Sequence, residues 1–198
     1  MKKLRPIDLT FGAMFVCLMA IGANITVWFP FLAIPIGGAT VPVSLQTFFA
    51  ILAGMMLGRK LGTVSMVVYA LLGAAGLPIF AGLKGGIFQF ISPTGGFIFS
   101  FILIAFFVGW MTEGRKIRTV PYFIFAAIIG LAINYGVGTT YMYLAMNTWL
   151  DLSISYTVAW AGMVPFLIKD AMLSVIAALF MLSLAKRIPS TLKNVNTQ

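Results

Sequence analysis

Apolar residues along this chain fall in long, almost unbroken runs, not in the alternations or three-to-four spacings of a soluble fold. Six runs stand out, near 11–29, 41–58, 62–80, 95–112, 120–146 and 163–185. Each is read as a helix crossing about 30 Å of hydrocarbon. The pattern predicts an all-α membrane protein, a single integral domain over 1–198 with six transmembrane helices. The opening "MKKLRPIDLTFGAMFVCLMAIGANITVWF" is basic and then apolar like a signal peptide. Its apolar run is about 19 residues long with no clear small-x-small cleavage site, and it is read as the first span.

The external connections are unusual. "PFLAIPIGGAT" (30–40) and "AGLKGGIFQFISPTGG" (81–96) are rich in Gly and Pro but stay apolar. An ordinary solvated loop is polar, whereas irregular backbone near membrane depth is tolerated where it lines a cavity. These segments are expected to fold back as caps over an outward-facing pocket. No internal repeat is evident, so the inverted-repeat plan of many secondary transporters finds no support.

Composition agrees: 61% of residues are hydrophobic and 9% charged, against about 25% charged in a soluble domain. Mean hydropathy is +1.06. The formal net charge of +9 invites a nucleic-acid reading, but the placement of the charges removes it. Lys2, Lys3, Arg5, Arg59, Lys60, Arg115, Lys116, Arg118, Lys186, Arg187 and Lys193 all fall on one side of a six-span topology. Basic residues mark the cytoplasmic side, which predicts both termini inside and a multi-pass protein of the cell membrane. Trp28, Trp149 and Trp160 then sit at outer ends of spans and Trp110 at an inner end.

With that orientation, costly polar groups collect in the outer half. Gln46, Asn24, Tyr141, Asn147, Lys169 and Asp170 lie there, with Tyr135 near mid-depth and Lys84 and Gln89 in the 81–96 connection. A channel or proton relay needs polar groups through the full thickness. This distribution instead suggests a pocket open outward and closed below, for a small, partly apolar ligand.

Lys169 and Asp170 each cost about 2.5–3.5 kcal/mol at mid-membrane depth, so a ligand role is favoured over local pairing. Neighbouring helical residues point about 100° apart, so one of the two is expected to face the cavity. Asp170 is the stronger ligand group, while Lys169 can snorkel toward the outer surface. Gln46 either meets the ligand or bonds a neighbouring helix. Tyr135, Gly138 and Tyr141 share one face, as an aromatic wall or as packing. Lys84 is either a solvated loop charge or, like Lys169, a counter-charge for an anionic ligand group.

Small residues spaced by four, Ala13 and Cys17 on span one and Gly54, Gly58 and Gly62 further on, permit close helix approach. They serve packing within the bundle or docking of a separate membrane subunit. The chain has no His, one Cys and no G-x-x-x-x-G-K-[ST], which excludes the usual zinc sites and a P-loop. Asp8, Glu113, Asp151 and Asp170 are its only acids, so the usual catalytic pairs are missing and no enzyme is expected. No cofactor is expected either.

Three stretches, "PVSLQTFFAILAGMMLGRKLG" (42–62), "YALLGAAGLPIFAGLKGG" (69–86) and "SPTGGFIFSF" (92–101), resemble BioY, the biotin-specific substrate-binding component of energy-coupling factor transporters. The Tyr135–Tyr141 segment and the Pro165–Asp170 segment agree, and the resemblance covers about residues 10–185. It implies a six-helix bundle capturing biotin from outside. It also implies a transmembrane coupling protein and two cytoplasmic ABC-type ATPases as partners, with Ala13 and Cys17 resembling the family's docking contact. In the family an Asp on span six is followed three residues later by Lys. Here Asp170 matches, but Leu173 stands at the Lys position, leaving Lys169 or Lys84 for the ligand carboxylate. The ureido N–H groups of biotin would suit Asp170, Gln46 or Gln89 as acceptors. A stand-alone carrier using Asp170 for proton coupling, or a purely structural subunit, are the alternative readings.

Overall fold

The computed structural model describes residues 5–29, 33–36, 39–114 and 119–187. Helix α1 (Pro6–Ala23) starts where Pro6 presets the first helical φ and Asp8 accepts the Arg5 backbone N–H at 3.0 Å. It breaks at Asn24, and a single turn, α2 (Ile25–Trp28), follows. Strands β1 (Ala33–Ile36) and β2 (Ala39–Pro42) pair antiparallel, with Ala33 opposite Pro42 and Ile36 opposite Ala39. Next come α3 (Gln46–Ala74), a 3-10 turn (Ile87–Phe90), α4 (Gly95–Thr112), α5 (Val120–Thr148) and α6 (Tyr156–Arg187).

Among the described residues, five helices are long and apolar enough to cross a membrane, where six apolar runs are marked in the sequence. The difference lies in α3. Gly58 has φ +74 and ψ 178, a backbone conformation outside the helical region that L side chains rarely adopt. Gln46 Nε2 nevertheless reaches the Tyr69 hydroxyl at 2.9 Å, 23 residues on. In a straight helix these positions would be about 34 Å apart. A Cβ on Gly62 would lie 2.9 Å from the Ala53 carbonyl oxygen. The chain therefore folds back at Gly58, and the two halves of α3 lie side by side. Glu113, after α4, closes this turn by accepting the Arg59 backbone N–H at 3.2 Å and pairing with the Arg59 guanidinium at 3.5 Å.

The all-α expectation needs one correction: the stretch read as an irregular cap contains a two-stranded sheet. "AIPI" and "ATVP" flank Gly37-Gly38, a hairpin signal that reading the stretch only as a breaker of apolar runs passes over. The 62–80 run also ends early as a helix, at Ala74, because Gly76 takes φ +104 and Pro78 follows. Of the basic clusters that set the expected orientation, 2–3, 115–118 and 193 lie outside the described residues, as do the side chains of 186–187.

Helices α3, α4 and α5 form the centre, α1 packs on α3, and α6 lies against α5 and α3. Close approach of α3 and α4 depends on Gly54, where a Cβ would stand 3.0 Å from the Ala105 carbonyl oxygen and the Gly109 nitrogen. Helix α6 is the most peripheral: its most apolar stretch is 28% buried, against 50% for α3 and α4.

Candidate functional site

Where β2 runs into α3, the chain leaves a cavity of about 680 Å³, its open mouth included. The end of β2, the first turn of α3, Phe80 and Ala81, the start of α4 and the middles of α5 and α6 bound it. The Arg59–Glu113 pair lies beyond the other end of α4, an 18-residue helix about 27 Å long. Charged interhelical contacts at that end and a cavity at this one give the bundle two unlike ends.

Phe80, Phe97, Phe101, Met163 and Phe166 make most of the cavity wall apolar. Phe97 lies against Gly138, where the absence of a side chain leaves room for its ring, and meets Tyr135 edge-on with ring centres 6.5 Å apart. Phe80 lies against Gly73 in the same way, so two glycines on neighbouring helices set the positions of two wall aromatics.

The polar atoms concentrate where α6 crosses α5. Asp170 is only 4% exposed. Its Oδ2 accepts the Tyr135 hydroxyl at 2.7 Å, and its Oδ1 meets Lys169 Nζ at 2.6 Å. Lys169 Nζ also donates to the Ser44 carbonyl oxygen, tying α6 to the segment between β2 and α3. A carboxylate buried in an apolar bundle is tolerated when it is paired with a cation. Here Oδ2 is hydrogen-bonded, and Oδ1 has the ion pair but no hydrogen-bond donor among the described residues. The sequence-based expectation that only one of the pair faces the cavity is corrected: both line it. The four-carbon stem of Lys169 spans the angle between neighbouring helical positions, so its ammonium curls back onto the next residue's carboxylate.

Gln46 and Gln89 line the same cavity, so five of the sequence-derived candidates, with Tyr135, Lys169 and Asp170, come together. Two do not. Tyr141 donates to the Phe90 carbonyl oxygen at 2.5 Å, and its ring packs against Gly96, Phe99 and Trp149. Six residues from Tyr135 is a 600° advance, which turns it about 120° from the cavity. Lys84 is exposed in a tight loop whose backbone pairs with Phe80, and its side chain is not part of the wall. Ala13 and Cys17 lie far from the site on α1, on its exposed side, while Gly12, Phe15 and Met19 face the bundle.

The structure adds polar residues that sequence reasoning passes over. Asn134 and Thr47 line the cavity, joined at 3.2 Å, and the Ser100 hydroxyl reaches Asn134 Oδ1 at 2.7 Å. Asn134 is 2% exposed. A lone Asn in the apolar run of α5, beside Tyr135, was the available signal. Its amide joins α3, α4 and α5 at the cavity floor. The cavity wall thus offers both donors and acceptors, and among the described residues no cluster of metal-ligating side chains is found.

Comparison with known proteins gives concordant matches. The model of the BioY family matches residues 1–190. The putative biotin transporter BioYB of Bacillus subtilis (strain 168) is 43% identical over 175 residues, 88% of this chain and 86% of that protein. The biotin transporter BioY of Thermotoga maritima is 37% identical over 88% of this chain and 94% of its own length. Among solved structures, the S-component for biotin from an ECF-type ABC transporter superposes with a TM-score of 0.80. At 24% identity, covering 96% of this chain and 98% of that one, it is a likeness of fold.

Proposed function

Because the chain belongs to the BioY family, we propose that it captures biotin as the substrate-specific subunit of a vitamin uptake transporter. It is a transport component and not an enzyme, and biotin is its substrate, with no cofactor required. The observation that carries the reading is the cavity itself, with its aromatic walls and the Tyr135–Asp170–Lys169 set at one side. The bicycle of biotin suits the Phe and Met walls. Its ureido N–H groups suit acceptors among Asp170, Gln46 and Gln89, and its carboxylate suits Lys169. Lys169 then serves in place of the cation that would stand at Leu173, because its stem brings the ammonium onto the Asp170 side of the cavity.

The fold-back at Gly58 supports a six-crossing bundle, with the Arg59–Glu113 end cytoplasmic and the cavity opening outward across the cell membrane. Driving transport falls to partners, a transmembrane coupling protein and two cytoplasmic ABC-type ATPases, since the sequence holds no P-loop. The exposed Ala13 and Cys17 face of α1 supports a docking surface for the coupling protein.

The test is a biotin titration of the purified protein followed by tryptophan fluorescence and by a label-free method. Saturation at about one biotin per chain, with a Kd below about 1 µM, is expected. No binding by either method removes the reading and returns the stand-alone carrier to first place. A second expectation separates capture from coupling. The double variant Ala13→Trp, Cys17→Trp should keep biotin affinity within about twofold. Co-purification with the coupling protein and ATP-driven uptake should be lost. Retained uptake would move the docking surface elsewhere.

A further inference from the structure

Tyr69 is 1% exposed and does not line the cavity, yet its hydroxyl touches a residue that does. A phenol has one proton to give. Tyr69 spends it on the Ile79 carbonyl oxygen at 3.0 Å, a group that only accepts. The Tyr69 oxygen is therefore left as an acceptor, and Gln46, 2.9 Å away, must face it with Nε2 and not with Oε1. Three features hold the phenol in place. Its ring packs edge-on to Phe80 at 5.4 Å, Phe80 is seated on Gly73, and Asn24 Nδ2 approaches the same Ile79 carbonyl at 3.5 Å. Asn24 Oδ1 in turn accepts the Leu83 backbone N–H at 2.6 Å, so the loop carrying Ile79 is anchored to α1.

We propose that Tyr69 is a positioning residue that fixes the amide of Gln46 so that its carbonyl oxygen, an acceptor, is presented to the cavity. Among the described residues no protein donor meets that oxygen. The site then demands an N–H from the ligand at this point and disfavours an ether or carbonyl oxygen of the same shape. This deepens the biotin reading and rests on it, because a cyclic urea supplies such an N–H. The neighbouring Asn134 lacks this control. The Ser100 hydroxyl stands 2.7 Å from both the Phe97 carbonyl and Asn134 Oδ1, so one proton serves two acceptors. The Thr47 hydroxyl that Asn134 Nδ2 meets at 3.2 Å can donate as well as accept, so neither neighbour fixes which way the Asn134 amide faces. Gln46 is thus the acceptor of defined polarity in this part of the wall, and Tyr69 defines it.

The experiment compares biotin with its cyclic carbamate analogue, in which a ring oxygen replaces one ureido N–H, on the purified full-length protein. The wild type should favour biotin by about a hundredfold, since the carbamate sets oxygen against oxygen. Tyr69→Phe releases the amide to turn its N–H toward the cavity. Biotin should then weaken by about tenfold while the carbamate changes by less than about threefold, so the discrimination narrows. A purely structural role for Tyr69 would weaken both ligands equally, and that outcome overturns the proposal, as does an unchanged ratio. If Tyr69→Phe does not yield folded protein, Gln46→Met decides, because it removes the acceptor with Tyr69 in place. A collapsed ratio in Gln46→Met supports the assignment and a preserved ratio overturns it. A wild type that binds neither ligand overturns the biotin reading itself, and this inference with it.

Discussion

Replacing Asp170 with Asn is expected to weaken biotin binding by about ten- to a hundredfold, because a hydrogen bond to a charged group is worth about 1.5–3 kcal/mol. The carboxylate accepts the Tyr135 hydroxyl at 2.7 Å on Oδ2 and is ion-paired through Oδ1 with Lys169 Nζ at 2.6 Å. Oδ1 meets no hydrogen-bond donor among the described residues and has lone pairs left for a ligand N–H. An amide has a single oxygen to serve both the Tyr135 hydroxyl and the Lys169 ammonium. If that oxygen stays on Tyr135, an NH₂ group faces the Lys169 ammonium. If it stays on Lys169, Tyr135 must give its proton elsewhere. Either arrangement also removes the negative charge that holds Lys169 in the cavity. Tyr135→Phe isolates one part of this, and a smaller loss of about tenfold is expected, with Asp170 still charged. Both variants are read by biotin titration, with thermal unfolding in detergent as the check on folding. Tight binding indifferent to Asp170→Asn would leave the function standing and transfer the anchor to Gln46 or Gln89.

Gly138→Ala is expected to cost about tenfold or more in affinity while costing the fold only the ~1–3 kcal/mol typical of overpacking. A Cβ at this position would overlap three atoms of the Phe97 ring, so the ring has to leave its seat on α5. Phe97 is part of the cavity wall and rests edge-on against Tyr135. Displacement therefore either fills the cavity or disturbs the hydroxyl that Asp170 accepts. Shortening the partner should reverse the effect: Phe97→Leu in the Gly138→Ala background should recover most of the affinity, as expected for directly contacting residues. If Gly138→Ala binds biotin like the wild type, the ring has another place to go and Phe97 does not shape the site.

These two expectations differ in how far they were legible beforehand. Asp170 announces itself, since a charge inside an apolar run is costly enough to demand a reason. Gly138 does not, because a glycine in a membrane helix is equally at home packing against any neighbour. Only the position of Phe97, on another helix, gives it a role in the site. Tyr141 shows the opposite error: its spacing from Tyr135 looked like one face, but the rotation over six residues turns it toward Phe90 and Trp149. Lys169 reaches a loop as expected, at the Ser44 carbonyl, but it also shares the cavity with Asp170, which helix geometry alone does not predict. Backbone direction separates neighbouring helical positions, but a long flexible stem can bring the ammonium back to its neighbour's carboxylate.

What the sequence determined by itself is the membrane class, the approximate places of the spans and the family. Each depends on properties that survive without coordinates: run length against bilayer thickness, the cost of isolated charges, and local motifs of Gly, Pro and polar residues. The break between the second and third apolar runs could also be placed there, at Gly58 and the basic pair after it. Which polar side chains meet was decided only by the tertiary structure. In water an inward face is marked by its apolarity, but in a bilayer the faces turned to lipid and to the core are both apolar. The sequence pattern of a span therefore carries little information on its rotation. Packing of α3, α4, α5 and α6 set those rotations, and with them the convergence of Gln46, Asn134, Tyr135 and Asp170 on one cavity and the buried hydroxyl of Tyr69 behind it.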